Sequence, residues 1–174
     1  MFIIKMNRRI LFIFIFLGIY CNSFSQKSPN WGIWNQLTGS WVGEGNGKPG
    51  QGEGECSFTF DLDKNILVRK NHTVISAIKD KKEVIHDDLM IIYADSLGLT
   101  NRAIYFDNES HVINYSIINS DTTIILTSEI RLGLPQFRLT YSFVNKETLT
   151  SKFEISLNSK DFFTYIEGTS KKKL

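Results

Sequence analysis

A chain of 174 residues, 42% hydrophobic and 22% charged, can bury one substantial core and is short for two large domains. Its 20 Lys and Arg nearly balance its 18 Asp and Glu, and the one basic run is Lys171-Lys172-Lys173, so the clustered positive face that a nucleic-acid partner needs is excluded. Two cysteines likewise exclude a disulfide-stapled scaffold.

The first 25 residues read as a cleaved secretory signal peptide. Lys5, Arg8 and Arg9 form a positive segment, and Ile10 to Tyr20 is an apolar run too short to span a bilayer. Ser23-Phe24-Ser25 places cleavage before Gln26, which leaves one domain over 26–174. Cys21 offers a lipoprotein alternative, but Ile19 and Tyr20 precede it where small residues are expected. The product is expected to be exported, periplasmic or secreted, with no later apolar run long enough for a membrane span. Without its leader the chain carries 17 basic and 18 acidic residues, a net charge of −1. Cys56 is then unpaired and reads as a small buried hydrophobe.

In chain order, Trp31 to Leu37 predicts a short helical turn with Trp31, Ile33, Trp34 and Leu37 inward. Gly39 to Asp61 then alternates two residue types, the signature of extended strands with one covered face. Lys48-Pro49-Gly50 supplies the turn between its two halves. Further strands are expected over Ile66 to Lys79, Glu83 to Ala94, Arg102 to Phe106 and His111 to Ile118. Thr122 to Leu132, Phe137 to Val144, Thr148 to Ser156 and Phe162 to Lys171 complete the set, each bounded by turn residues. No helical period is long enough to cover a sheet. About ten strands joined by short turns predict an all-β fold, a single antiparallel meander β-barrel with a short N-terminal helical turn.

The covered face of the first hairpin is mostly glycine: Gly43, Gly45, Gly47, Gly52 and Gly54 stand where a core usually has Val, Ile or Leu. Two readings stay open. Glycine leaves interior room for another molecule, or it lets strands coil sharply at a barrel corner.

Gly39-Ser40-Trp41, following a helical turn, resembles the Gly-x-Trp opening of calycin barrels, the lipocalins and fatty-acid-binding proteins. That resemblance implies a basic residue of the last strand packed across Trp41, a place that Lys171 suits. The longer run from Gly39 to Gly47 resembles the first strand of nitrobindin-like haem-binding barrels, and the whole chain is similar to a group of exported bacterial calycin-like proteins. The resemblance implies a ten-stranded calycin-like barrel and raises the question of haem. Nitrobindin-like proteins hold haem iron through a histidine late in the barrel, and this chain has none after His111. The fold carries over and the cofactor stays unknown.

His72, His86 and His111 fall in three different predicted strands. By alternation Val84, His86, Asp88, Met90 and Ile92 share one face, as do Tyr105 and Asp107, and His111, Ile113, Tyr115 and Ile117. If these faces point inward, a His/Asp/Tyr cluster lines the barrel, and polar groups there need partners or a ligand. Structural histidines, a ligand-contacting cluster, a three-histidine metal site and acid-base catalysis by His111 with Asp107 or Asp88 are all compatible with the pattern. Arg138 is a candidate for an acidic ligand group or a rim salt bridge, with Tyr141 on the opposite face. The reading taken is a barrel that binds a small hydrophobic molecule. Trp41, Phe58 and Phe60 would line or floor it, with His72, His86, Tyr105, Asp107, His111, Tyr115 and Arg138 as polar contacts. The alternative is a calycin-fold isomerase or hydrolase that uses His111 as general base in the same cavity.

Overall fold

The computed structural model describes residues 27–44, 53–75 and 83–173. A helical turn, α1 (Trp34–Leu37), leads into β1 (Gly39–Glu44), β2 (Glu53–Asp61), β3 (Ile66–Ile75), β4 (Val84–Tyr93) and β5 (Arg102–Asp107). The chain continues through β6 (Val112–Asn119), β7 (Thr123–Ser128), β8 (Gln136–Asn145), β9 (Thr148–Ser156) and β10 (Phe163–Lys172). Each strand pairs antiparallel with its sequence neighbours, and β1 pairs with β10, so the meander closes into a ten-stranded barrel. Closure leaves no sheet edge to protect, and this is how a chain without covering helices buries an apolar face.

The connections β2–β3, β4–β5, β6–β7 and β8–β9 lie at one end, together with α1. Three contacts seat the helical turn there: Trp31 Nε1 donates to the Lys64 carbonyl at 2.8 Å, Trp41 Nε1 to the Leu37 carbonyl at 2.7 Å, and Lys172 Nζ to the Gln36 carbonyl at 3.2 Å. The β2–β3 turn is tight, with Leu62, Asp63 and Lys64 all at positive φ. Asp61 Oδ1 and the Leu62 carbonyl hold this otherwise unfavourable backbone by accepting from the Leu62 and Asn65 amides.

At this end the barrel is solid. Trp34, Leu37, Trp41, Leu67, Ile92, Ala103, Ile124 and Leu149 exclude solvent, with Met90, Phe58, Leu126, Tyr115 and Tyr141 in the layer above. Phe58 meets Tyr141 edge-on at 5.8 Å, which ties β2 to β8 across the interior. Phe60 packs on the rim of this core, 5.0 Å from Trp31. Trp41 and Phe58 thus form a floor.

Three expectations are corrected in detail. The residue across Trp41 is Lys172, its Nζ 5.4 Å from the ring centroid, because the ladder pairs Trp41 with Lys172. Lys171, one residue earlier, faces outward and donates to Thr148 Oγ1. His111 lies in the β5–β6 turn, ahead of the strand, where Asp107 captures its backbone amide. Strand β7 stops at Ser128, with Gly133 at φ 77° in the loop beyond, so Ile130 and Leu132 are exposed. Lys48-Pro49-Gly50, Gly45, Gly47 and Gly52 lie outside the described residues.

Candidate functional site

The ladders fix which side chains share the interior at the end opposite α1. One inward row runs Cys56, Asn71, Asp88, Asp107 across β2 to β5; beside it run Phe58, Arg69, Met90, Tyr105, Ile113; and nearer the opening sit Gly54, Thr73 and His86. Polar side chains therefore gather on the β3–β6 sector of the wall. The facing sector, β8 to β10, brings Phe137, Leu139, Phe153, Ile155 and Ile166. These inward apolar residues retain exposure, Ile166 as much as 41%, whereas their counterparts near α1 are sealed. Among the described residues the barrel is filled at one end and leaves inward side chains exposed at the other, its open half.

The polar side forms one connected network. Arg69 Nη1 donates to Asp88 Oδ1, Asn71 Nδ2 donates to Asp88 Oδ2 at 3.0 Å, and Asn71 also reaches Thr73 Oγ1. The Asp88 side chain is 4% exposed and that of Arg69 12%, so this is a buried ion pair. Burial pushes the Asp88 carboxyl above its ordinary range, and Arg69, His86 and Asn71 pull against that shift. His86 Nε2 lies 3.1 Å from the Tyr105 hydroxyl and 3.6 Å from Asp88 Oδ2, and its Nδ1 lies 3.3 Å from Glu109 Oε1. Neutral His86 with its proton on Nδ1 donates to Glu109 and accepts from Tyr105. When doubly protonated it donates both ways, and Tyr105 turns its hydroxyl to Asp107 Oδ2, 3.3 Å distant.

Asp107 ends β5 and organises the turn that follows. Its Oδ1 accepts the amides of Glu109 and His111, and its Oδ2 meets His111 Nδ1 at 2.8 Å. Burial raises this carboxyl, but the His111 amide and ring and the Glu109 amide outweigh it and hold Asp107 below its usual range. Burial pushes the hydroxyls of Tyr105, Tyr115 and Tyr141 and the Cys56 thiol above their ordinary values, keeping all four neutral. Arg69 lies within electrostatic reach of Tyr115 and Tyr141. Two polar atoms in this layer are buried with no hydrogen-bond partner, Arg69 Nε and Tyr141 Oη.

Of the residues singled out from the sequence, His86, Tyr105, Asp107, His111 and Tyr115 come together around this network. Three do not join them. Trp41 is fully buried in the filled half. His72 points outward, its side chain 58% exposed, and meets Asp87 Oδ1 at 2.6 Å. It lies in a cleft of about 650 Å³ on the outer wall, among Ser57, Lys70, Asp87, Leu89 and Phe106. Arg138 also faces outward, where it grips Glu154 with two bonds of 2.7 and 3.0 Å and stacks on Phe162 at 4.1 Å. It is a wall salt bridge, because alternation along β8 turns Phe137 and Leu139 inward instead. Arg69, Asn71 and Tyr141 were not among the candidates. The first two were legible as polar residues at every second position of an apolar strand; Tyr141 was placed by alternation on the face opposite Arg138, and nothing local tells which of the two faces is inside.

The glycine question divides by position. A Cβ on Gly54 would lie 2.8 Å from Thr73 Oγ1 and 3.2 Å from the His72 carbonyl, so a neighbour occupies that place. A Cβ on Gly168 would meet nothing within 4 Å. Interior room therefore opens beside β10 rather than beside Gly54. As for haem, His86 is the imidazole on the inner wall and commits both nitrogens, and no histidine follows His111. The residues present do not fit haem iron held from the late strands. Among the described residues no three His, Cys, Asp or Glu side chains are grouped as metal ligands, and no helix is long and apolar enough to cross a membrane.

No protein-family model and no curated protein matches the chain. Among solved structures, Rv2717c from M. tuberculosis is similar at a TM-score of 0.56 and 12% identity, over 84% of this chain and 99% of that one. The S-type phycobiliprotein lyase CPES from Guillardia theta is similar at a TM-score of 0.46 and 9% identity, over 82% of this chain and 91% of that one. What the chain shares at this level is an architecture: it is a closed ten-stranded antiparallel barrel of calycin-like fold.

Proposed function

We propose that this protein binds a small, largely apolar molecule in the open half of its barrel, and that its leader sends it to work outside the cytoplasm. The body of the ligand lies against Phe137, Phe153, Ile155 and Ile166, and its polar end faces Arg69, His86, Tyr105 and Tyr141. One observation carries this reading: inward-facing apolar side chains keep exposure opposite a buried polar network, and two buried polar atoms, Arg69 Nε within it and Tyr141 Oη beyond it, have no partner. Apolar walls with a few convergent polar groups characterise ligand pockets, whereas a barrel built only for stability gains by filling its interior.

The test is to fill the room without disturbing the wall. Gly168→Leu adds a side chain where there is open space. Native mass spectrometry of protein isolated from its host should reveal a retained small molecule, absent from Gly168→Leu, with the two circular dichroism spectra alike. A clean apo mass from the host, together with no saturable binding across a panel of fatty alcohols, retinoids and tetrapyrroles, refutes the proposal.

A second reading rests on the Asp107–His111 contact of 2.8 Å. Asp107 accepting from Nδ1 leaves Nε2 of His111 as a base at the opening, the arrangement that general-base catalysis uses. An isomerase or hydrolase of this kind loses turnover on His111→Ala while retaining ligand. A His111→Ala variant with unchanged turnover eliminates this reading.

A further inference from the structure

The two walls of the open half also select the charge of what they hold, an inference that rests on the ligand-binding reading above. Among the described residues, charged and titratable groups reach this space from β3 (Arg69), β4 (His86, Asp88), β5 (Tyr105, Asp107) and the β5–β6 turn (Glu109, His111), beside the neutral Cys56, Tyr115 and Tyr141. With the imidazoles neutral, one guanidinium stands against three carboxylates among the described residues of this wall. Asp88 already neutralises Arg69, so among the described residues no unbalanced positive charge in the wall awaits an incoming anion, and Asp107 and Glu109 repel one. From the facing sector Phe137 and Phe153, stacked at 5.7 Å, and Ile155 and Ile166 bring no charge. A carboxylate entering here leaves water without gaining a counter-ion.

What remains open in the wall is hydrogen bonding rather than charge. Arg69 Nε and Tyr141 Oη are buried without partners, and Tyr141 is 2% exposed and within electrostatic reach of Arg69 and Asp88. An unsatisfied buried donor is unfavourable, and a neutral oxygen answers it without adding charge. We infer that the barrel selects an uncharged apolar molecule ending in a carbonyl or hydroxyl oxygen, and discriminates against the carboxylate of the same chain length.

Calorimetric titration with a long-chain methyl ketone, primary alcohol and carboxylate of one chain length, at about pH 7, tests this. The ketone and alcohol are expected to bind at least about tenfold more tightly than the carboxylate. Asp88→Asn frees Arg69 of its counter-charge and should narrow or reverse that ratio. Glu109→Gln, at an exposed turn position, should narrow it in the same direction should Asp88→Asn fail to fold. Tyr141→Phe should weaken the ketone and leave an alkane of equal length unaffected. A carboxylate that binds the wild type as tightly as the ketone overturns the inference, as does a ratio that neither folded charge variant moves. Inverted preference overturns this inference alone; failure of all three ligands to bind removes the ligand-binding reading with it.

Discussion

Replacing Arg69 by Met removes the guanidinium and keeps most of the stem, so the packing beside Phe58 and Met90 changes little. Asp88, 4% exposed at its side chain, is left with Asn71 Nδ2 at 3.0 Å and His86 Nε2 at 3.6 Å. Removing one partner of a buried ion pair costs about 3–5 kcal/mol, because the other charge is stranded. Against a domain stability of about 5–15 kcal/mol that is a large fraction. The sign of its pH dependence follows from Asp88. Burial already holds this carboxyl above its ordinary value of 3.8, Arg69 opposes that shift, and deleting Arg69 raises it further. A carboxyl whose folded pKa exceeds its unfolded one is penalised while ionised and relieved as pH falls through the folded value. The loss caused by Arg69→Met should therefore be greatest where Asp88 is ionised and shrink as pH falls through its raised folded value. Urea unfolding followed by tryptophan fluorescence, with the slope checked for constancy, measures it. The double variant Arg69→Met/Asp88→Leu should recover most of the loss, since replacing a whole buried pair by apolar side chains is often neutral. A single variant within about 0.5 kcal/mol of wild type, a loss that grows on acidification, or no recovery in the double variant refutes the reasoning.

Three further outcomes are expected. Gly54→Ala places a Cβ 2.8 Å from Thr73 Oγ1 and should cost about 1–3 kcal/mol, partly restored by Thr73→Ala. Gly168→Ala, with nothing within 4 Å, should stay within about 0.5 kcal/mol of wild type, both read from urea midpoints. Lys172→Met removes the ammonium over Trp41 and should lower stability by about 0.5–1 kcal/mol, more than Lys171→Met does in the same thermal melts. Asp107 and Glu154 have folded pKa values below their ordinary 3.8 and 4.5, so the stability they contribute is present above those values and lost as pH falls through the depressed ones. An acid titration by circular dichroism should accordingly be shallower for Asp107→Asn and for Glu154→Gln than for wild type.

Strand content, strand count and closure were legible because each rests on a local cause. Period-two alternation marks a strand, Asp, Asn, Gly and Pro mark its ends, and a meander lacking helices must close on itself to hide its apolar faces. Alternation also put His86 with Asp88, and Tyr105 with Asp107, on common faces, and the ladders turn both faces inward. His72 and Arg138 carried the same residue-type signal as His86, yet they sit one position out of phase with the inner wall. Which phase is inside depends on register between strands far apart in sequence, and no local pattern encodes that.

That Arg69 on β3 comes within electrostatic reach of Tyr141 on β8, the opposite side of the barrel and 72 residues away in the chain, depends on closure. So does the place of the open space. Gly54 and Gly168 are the same residue, but Thr73 fills the first position from the neighbouring strand while the second faces nothing. A residue's alternation is a property of its own strand and can be read in isolation. The volume left at its side is a property of every strand around it, and that becomes definite only once the tenth strand pairs with the first.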